Sequence, residues 1–441
     1  MGQEILDFIE KRLKAKKIEA YDILIKTKKN HENIFLKDSV DSFREVQSME
    51  YMIRIYNQKE EPGMGVIHSS ELKEERLDKI IDQCMTLSKI NKTTKYEFPD
   101  KGLYNDIKTT ESKIIKDPTS VLDDLSEELN SCIKDEKNVV PTFGRLGVII
   151  RENYLRNYKG INLSDESTYL FLEFAIKAEE GKNLAEFWDV NLYKQIAHLD
   201  IQNRMKHWAK LAVDTLKAKQ PRSKQDATIV FPPKILMHAI NPVIGYHATG
   251  QAHFEKVSSF EIDKEVSSPN LTIKDNGLLE GCLSTFPWDG EGTPTRSTIL
   301  IQDGIFKNRI YDQRYAILEN TKSTGNGART MDGNVVNNIT NLEILEGDLT
   351  YEELISNIKE GLYVEKFSWL NPDRLSGSFG TEIRNAYTIK NGELTEPIKG
   401  GNVSGNVLTM IKRCLNITKE RKFMQNCLYP FMSFDGLIIS S

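Results

Sequence analysis

AYTIKNGELTEPI, residues 386–398, decides the fold class. Apolar residues alternate with polar ones on both sides of Asn391-Gly392, and Asn-Gly is the dipeptide that two-residue hairpin turns favour. ILIQDGIFKNRIY, residues 299–311, repeats this pattern around Asp303-Gly304, and LTIKDNGLLEG, residues 271–281, is a candidate third hairpin. The second half of the chain is therefore predicted to contain antiparallel sheet.

One helix interrupts these predicted strands. Thr350 and Glu353 form a capping-box pattern, apolar residues follow at helical spacing, and Gly361 stands where such a helix would end. The second half is thus predicted to be mainly antiparallel β with few helices.

The first half mixes the two periodicities. Helical spacing predicts helices near residues 1–17, 71–91, 121–133 and 200–217. Alternation predicts strands at residues 20–27, 32–38, 50–57, 63–69, 144–160 and 167–182. Residues 92–118 are polar and weakly patterned, which predicts a long connection over the surface.

A proline and a run of charges at residues 220–226 suggest a domain boundary. We expect an α+β chain with a mixed N-terminal α/β-layer domain, residues 1–222. A mainly antiparallel β domain with few helices, residues 223–441, should follow it.

The charge balance argues against nucleic acid as a partner. The 441 residues include 59 basic and 64 acidic side chains, a net charge of −5, so no broad positive field is available to hold phosphates. The predicted helix at 200–217 does gather four basic side chains on one face, but Asp214 lies among them. The set is Lys206, His207, Lys210, Asp214 and Lys217. We favour a solvated helix face over a nucleic-acid patch.

Cysteine usage and hydropathy predict a cytoplasmic protein. No apolar run approaches the roughly 20 residues that span a bilayer, so no membrane partner is expected. The five cysteines are an odd number without a CxxC pair, which argues against a disulfide framework and a thiolate zinc site.

Three of the seven histidines lie in HAINPVIGYHATGQAH, residues 238–253. His238 and His247 are nine positions apart and would point to opposite faces of one helix, and Pro242 should disturb that helix. No Glu or Asp lies between His238 and His253 to serve as a general base. We predict no catalytic residue and no metal site in this segment. The alternative is an irregular site that joins His247 to His238, His253 or Glu255.

Three polar loops have both a chemical and a structural interpretation. Asp289 and Glu291 in DGEGTP could be a carboxylate pair, but a loop-shaping role is favoured. STGNG, residues 323–327, resembles a phosphate cradle but lacks the Walker lysine, and SGSFG around Ser378 is no nucleophile elbow. We predict instead a peptide groove or partner contact. Its candidate residues are Asp289, Glu291, Ser323, Thr324, Gly325, Asn326, Gly377 and Ser378.

Long ordered segments resemble the TldD/PmbA family. They are DGEGTPTRSTILIQDGIFKNRIYD (289–312), STGNGAR (323–329), EELISNIKEGLYV (352–364) and LSGSFGTEIRNAYTIKNGELTEPIKGGNVSGN (375–406). The resemblance implies a two-domain α+β protein that is dimeric and works in an intracellular peptidase complex on unfolded or extended peptides.

The TldD branch of that family carries HExxxH on a helix, and a cysteine near the C-terminus completes its zinc site. Counted back from Val257-Ser258-Ser259, the motif falls on residues 242–247, where Pro242 and Val243 replace the first histidine and the glutamate. Only His247 matches. The ending FMQNCLYPFMSFDGLIIS, residues 423–440, is more similar to the PmbA/TldE branch.

The resemblance therefore implies a non-catalytic, metal-free PmbA/TldE-like subunit with no cofactor of its own. Zinc is expected in a TldD-like partner, in a heterodimer, although a homodimer is equally open. Two alternatives remain at this point: a homodimeric peptide-binding scaffold without chemistry, and a divergent metallopeptidase that uses His247. The family's older label as a modulator of DNA gyrase has no support in the charge balance.

Overall fold

The computed structural model describes residues 2–58 and 61–441. The first half contains an antiparallel six-stranded sheet in the order β3-β2-β1-β4-β5-β6. Its strands are β1 (Tyr21–Leu36), β2 (Ser39–Asn57), β3 (Gly63–Ser69), β4 (Val139–Asn157), β5 (Asn162–Glu180) and β6 (Asn183–Tyr193).

Helices cover one face of this sheet. They are α1 (Gly2–Ala15), α2 (Glu74–Ile90), α3 (Ser112–Lys116), α4 (Pro118–Lys134) and α5 (Ile201–Thr215). Helices α1 and α2 pack on Ile23, Ile25 and Ile53, whereas α4 and α5 pack on the β4–β5 part of the sheet around Leu172. Strand residues alternate between faces, so Asp22, Leu24 and Lys26 are left on the opposite face.

The second half is built on an eleven-stranded sheet with the central order β10-β9-β8-β13-β19-β17-β15-β14-β7, to which β16 and β18 add at β15 and β19. Its strands are β7 (Lys224–Phe231), β8 (Ile273–Asn276), β9 (Ser297–Gln302), β10 (Ile305–Phe306), β13 (Leu342–Ile344), β14 (Glu360–Phe367), β15 (Ser378–Lys390), β16 (Glu393–Ile398), β17 (Asn402–Asn406), β18 (Cys414–Met424) and β19 (Cys427–Ser440). A separate ribbon pairs β11 (Gly327–Arg329) with β12 (Val335–Asn337). The pairing is antiparallel except for β13–β19 and β14–β7. The predicted α+β class is confirmed.

Short helices accompany this sheet. They are α6 (Pro233–His247), α7 (Gly250–Phe254), α8 (Gln313–Leu318), α9 (Tyr351–Ser356) and α10 (Val407–Met410). Helix α6 is the longest of them and is buried in the core of the second half through Ile240, Val243 and Ile244. Every helix among residues 2–58 and 61–441 is too short or too polar to cross a lipid bilayer.

Helix α5 joins the two sheets. Its apolar stripe shares a core with the first sheet and with Tyr387 and Phe431 of the second. The predicted charged face meets the second sheet at its margin, where His207 lies 2.7 Å from a Glu365 oxygen and the Tyr387 hydroxyl donates to Asp214 at 2.5 Å. Lys210 also contacts Asp214. The charges of this face are therefore largely paired within the protein.

Two of the three candidate hairpins are confirmed. Asn391 and Gly392 have φ of 51° and 82° between β15 and β16, and Asp303 and Gly304 have φ of 49° and 83° between β9 and β10. The capping box of α9 is present as well. The third hairpin is wrong, because β8 pairs with β9 and β13 and not with the residues that directly follow it.

The first half departs from prediction where polar side chains break the alternation. The two strands predicted at residues 20–27 and 32–38 form one strand, β1. The prediction placed the start of the next strand near residue 50, but β2 begins at Ser39. Residues 39–48 are exposed on both faces, so no alternation marked them as a strand. Strand β6 was not predicted, since Asp189 and Asn191 occupy inward positions of its alternation.

The connection at residues 92–118 is largely irregular and exposed, as predicted, but it contains a buried part that was not predicted. Tyr96 and Phe98 are only 6% and 1% exposed, and the short helix α3 lies within the segment. The Tyr96 hydroxyl donates to Glu291 in the second half, and the Tyr104 hydroxyl donates to the Gly292 carbonyl. Isolated aromatic residues carry no period, so the sequence pattern concealed a segment that packs between the two halves.

Helix α6 also contradicts the expectation that Pro242 disturbs it. The helix runs from Pro233 to His247 with Pro242 inside. An interior proline removes one N–H donor and costs about 3 kcal/mol. Here Ile240, Val243 and Ile244 are fully buried beside it, and their burial at roughly 1.5–3 kcal/mol each offsets that cost.

Candidate functional site

His247 lies fully buried at the end of α6, and both of its ring nitrogens are bonded to the backbone. The Ser259 N–H donates to Nδ1 at 2.9 Å, and Nε2 lies 3.0 Å from the Leu375 carbonyl oxygen. One neutral tautomer, with the proton on Nε2, satisfies both contacts. Burial lowers the pKa of His247, in agreement with this neutral form. No ring lone pair is left for a metal ion.

The other two histidines of this segment lie in separate environments. His253 is exposed and lies 3.1 Å from a Glu319 carboxylate oxygen. Burial and the neighbouring Lys234 lower the pKa of His238 to about 4. Glu255 accepts from the Tyr315 hydroxyl at 3.0 Å. The structure therefore does not bring His238, His253 or Glu255 to His247.

The donor set around α6 does not fit a zinc ion. Pro242 and Val243 have no ligating atom, and Val243 is fully buried among apolar side chains. Cys427 is also fully buried, and burial raises the pKa of its thiol, which opposes the thiolate that zinc requires. Within the described ranges 2–58 and 61–441, no group of three or more His, Cys, Asp or Glu side chains is placed to hold a metal ion.

A buried network of charges joins the two halves of the chain. Arg54 of β2 bonds Asp22 of β1 at 2.6 Å and Glu291 of the second half at 3.1 Å. Glu291 also accepts from the Tyr96 hydroxyl at 2.6 Å and from the Gln313 N–H at 2.8 Å. Asp22, Arg54 and Glu291 are at most 4% exposed at their side chains. Ion pairs this deep are specific in geometry, and removing one member leaves a charge without compensation.

The Asp289 carboxylate organises the DGEGTP loop, as predicted for this residue. Its Oδ1 accepts the N–H groups of Glu291 and Thr293, both at 2.9 Å, and its Oδ2 accepts the Gly327 N–H at 2.8 Å. Burial and the nearby Glu291 raise the pKa of Asp289 to about 7. A Cβ on Gly327 would lie 2.6 Å from Glu291 Oε2, so this close approach of the two loops requires glycine.

A cavity of about 270 Å³ lies beside this network, between the first sheet and the loops of the second half. From the first sheet, Leu24, Lys26, Arg151, Asn153 and Asp165 line it. From the second half, Phe286, Trp288, Asp289, Gly325, Asn326 and Arg329 are among the lining residues. Polar groups thus meet two aromatic rings in a partly open cavity, which is the usual composition of a small-ligand site.

Three of the eight predicted groove residues line this cavity: Asp289, Gly325 and Asn326. Glu291 points instead into the buried charge network. The Ser323 hydroxyl donates to the Tyr311 carbonyl at 3.1 Å, and the Thr324 hydroxyl accepts the Tyr311 N–H at 2.6 Å, so both side chains hold their own loop.

Gly377 and Ser378 lie elsewhere. Ser378 begins β15 and pairs with Asn406 of β17, and Gly377 adopts a φ of 74°. The same loop supplies the Leu375 carbonyl that bonds His247. These two residues therefore belong to the surroundings of α6 and not to the cavity.

Sequence reasoning missed the part of the cavity that the first sheet supplies. Lys26 of β1, Asn153 of β4 and Asp165 of β5 stand opposite one another in register, and Arg151 follows on the same face of β4. A signal was present in the sequence. The predicted strands carry charged residues on one face, and the predicted helices can cover only the other face of the sheet.

Comparison with known proteins gives the family. Residues 224–441 match the family model described as the PmbA/TldA metallopeptidase C-terminal domain. The second half of the chain belongs to this family.

Relatives and solved structures extend the similarity beyond the TldD/PmbA C-terminal domain. A metalloprotease of Methanocaldococcus jannaschii is 25% identical over 386 residues, which is 81% of each chain. A metalloprotease TldD homolog of Buchnera aphidicola is 32% identical over 229 residues, 50% of this chain and 47% of the relative. The crystal structure of TldE from Thermococcus kodakarensis superimposes with a TM-score of 0.85 at 19% identity, covering 100% of this chain and 99% of that one. This last likeness concerns the fold alone.

Proposed function

We propose that this chain is the non-catalytic, metal-free PmbA/TldE-like subunit of a TldD/TldE-type metallopeptidase complex. The complex acts in the cytoplasm on unfolded or extended peptides, with zinc in its TldD-like subunit. The observation that carries the proposal is His247, whose two nitrogens are already bonded to Ser259 and Leu375.

Zinc hydrolysis needs three protein ligands, an open coordination position and a base for the bound water. At the positions that resemble HExxxH, this chain offers Pro242, Val243 and a histidine without a free lone pair. His247 instead ties the end of α6 to the loops at Ser259 and Leu375, which is a structural role.

The relatives support a hydrolytic partner. Proteins with metalloprotease names match 81% and 50% of this chain. A chain that keeps the fold but lacks the donor set is expected to act beside a subunit that has it. The cavity between the two halves supports a role in holding peptide, since it offers polar and aromatic contacts.

The test is reconstitution with a TldD-type zinc subunit from the same source. We expect a stable heteromeric complex by multi-angle light scattering, with zinc only in the TldD-type subunit by elemental analysis. An unfolded protein substrate should be degraded by the mixture and by neither chain alone.

Two variants sharpen this test. His247→Gln in this chain should leave the activity of the complex unchanged wherever the complex still forms, whereas replacing the motif glutamate of the TldD-type subunit should abolish it. One zinc ion per chain together with hydrolysis by this chain alone would refute the proposal. Peptide binding by a homodimer that ignores the TldD-type subunit would support the scaffold alternative.

A further inference from the structure

The cavity between the sheets contains two cations that lack an ion-pair partner. In the part of the chain that the structure describes, no carboxylate lies within ion-pair distance of Lys26 Nζ or of the Arg151 guanidinium. The Arg151 Nε makes one long hydrogen bond of 3.4 Å to the Ser167 hydroxyl. Glu50 stands opposite Lys26 in the β1–β2 register, but its carboxylate is 2.9 Å from His68. Both cations therefore keep donors available.

Arg151 is held in place by aromatic contacts. Its guanidinium carbon lies 4.6 Å from the centre of the Phe286 ring and 5.8 Å from that of Tyr169. Stacking of this kind fixes the plane of the guanidinium and leaves its edge free to bind an oxyanion with two hydrogen bonds. Lys26 approaches the same space from β1, one row along the sheet from Arg151.

Burying two like charges together is unfavourable unless a ligand compensates them. Burial lowers the pKa of Lys26 and of Arg151. Glu50 raises the pKa of Lys26 in part, whereas Arg151 and Arg329 lower it further, and Asp165 offsets part of the lowering at Arg151. Arg329 differs from the other two, because it pairs with Asp22. An arrangement that costs stability in this way is typical of a binding site.

The remaining polar groups favour a singly charged ligand over a phosphate. Asp165 and Asp289 line the same cavity, and Asn153 donates to both Asp165 oxygens at 3.3 Å. Two carboxylates would repel a dianion, but they accept hydrogen bonds from the amide groups of a peptide. The volume of about 270 Å³ lies just below the range of roughly 300–1,000 Å³ for pockets that hold whole drug-sized ligands. A cavity of this volume fits the end of a peptide and not a segment from its middle.

We propose that the cavity binds the C-terminal carboxylate of a peptide, with Lys26 and Arg151 as its anion partners. Phe286 and Trp288 form the wall against the last side chain. This inference deepens the proposed function, since it names which end of a peptide this subunit holds, but it is tested on the isolated chain without any partner.

The experiment is isothermal titration calorimetry with N-acetyl-Ala-Ala as the free acid and as its C-terminal amide. The acetyl group removes the ammonium, so the two probes differ only at the carboxylate. The free acid should bind at least tenfold more tightly than the amide, and Lys26→Met or Arg151→Met should each reduce its affinity at least tenfold, about 1.4 kcal/mol. Lys29→Met is the matched control, because Lys29 is an exposed residue of β1 whose side chain lies on the face away from the cavity, and it should bind as the original chain does.

Three outcomes would overturn the inference: no binding of either probe, equal binding of acid and amide, or unchanged affinity in both methionine variants. Tighter binding of inorganic phosphate, with the same dependence on Lys26 and Arg151, would replace the peptide terminus with a compact anion. Because methionine keeps the length of both side chains, thermal melts should confirm that the variants are folded. Failure here would leave the reconstitution test intact, and failure of reconstitution would leave this binding result intact.

Discussion

The end of helix α6 and the face of the first sheet that borders the cavity differ in how many hydrogen-bonding groups they leave without a partner. His247 is the residue type most often found at a hydrolytic metal, yet both ring nitrogens are bonded to backbone groups. Lys26 and Arg151 belong to no recognisable motif, yet neither has a carboxylate partner among the described residues. A site is thus indicated by unused hydrogen-bonding capacity that faces a cavity, and residue identity alone is a poor guide to it.

The charged side chains on this face of the first sheet fall into a part with ion-pair partners and a part without them. Arg54 is fixed by ion pairs with Asp22 and Glu291. Lys26, two positions from Asp22 along the same face of β1, has no such ion pair. The paired part holds the two halves of the chain together, and the unpaired part borders the cavity. Four substitutions test this division and the contrast with α6.

Arg54→Met should have the largest effect. It would leave Asp22 and Glu291 buried with less compensation, and breaking a buried ion pair from one side costs about 3–5 kcal/mol. Chemical denaturation should report this loss in the free energy of unfolding. Arg76→Met is the matched control, because Arg76 is 60% exposed and pairs with an exposed Glu71, so the change should stay below about 0.5 kcal/mol. Equal effects of both substitutions would contradict the assignment of Arg54 as the interdomain anchor.

His247→Leu should come next. The Ser259 N–H and the Leu375 carbonyl would both lose their partner, and each unsatisfied buried group costs about 1–3 kcal/mol. We expect a loss of about 2–4 kcal/mol in unfolding free energy with no change in zinc content. His253→Leu, on an exposed histidine of the same segment, should change stability little. Loss of bound zinc without loss of stability would show that His247 is a ligand.

His238→Gln should remove a pH dependence. Because the folded pKa of His238 is about 4 and an unfolded histidine titrates near 6.5, the unfolded state takes up a proton that the folded state refuses. Its contribution to stability is complete above pH 6.5 and is lost as the pH falls towards 4. The difference in unfolding free energy between the original chain and the variant should shift by about 2 kcal/mol between pH 7 and pH 4.5. A difference that is constant with pH would place this histidine in a solvated environment.

Lys26→Met should have the smallest effect on stability, in either direction within about 0.5 kcal/mol. The substitution breaks no ion pair and removes a charge whose pKa burial already lowers. Thermal melting at neutral pH measures it directly beside Arg54→Met. A loss comparable with that of Arg54→Met would mean that Lys26 holds the structure together, and the cavity would then have no unpaired cation on β1.

Local patterns predicted much of the fold. The hairpins at Asn391-Gly392 and Asp303-Gly304 and the capping box at Thr350 are set by neighbours in sequence, and all three are present. Helix α6 was obscured by Pro242. Burial of the apolar residues beside the proline outweighs its cost, and the side chains that bury them are distant in sequence. The buried part of residues 92–118 was missed for the same reason, since the pocket for Tyr96 is built by Arg54 and Glu291.

The candidate site was only half predictable. The glycine-rich loops around Asp289 and Gly325 stand out as turns, and they line the cavity. Lys26 and Arg151 do not stand out individually, because β1 and β4 each carry several charged residues. Their proximity depends on the β1–β4 register across about 125 residues of chain, as for Thr27 and Glu152, and on the arrival of Phe286 from the second half.

The bond between Arg54 and Glu291 joins residues 237 positions apart. A ribosome adds about 5–20 residues per second, so roughly 12–47 s of synthesis separate the two partners. Once β4 and β5 have joined β1 within that interval, the first sheet presents Arg54, Asp22 and Lys26 to water until the loops of the second half are made. A charged face of this kind stays hydrated until the second half covers it. It therefore protects the emerging chain from premature association, which an exposed apolar interface would not do.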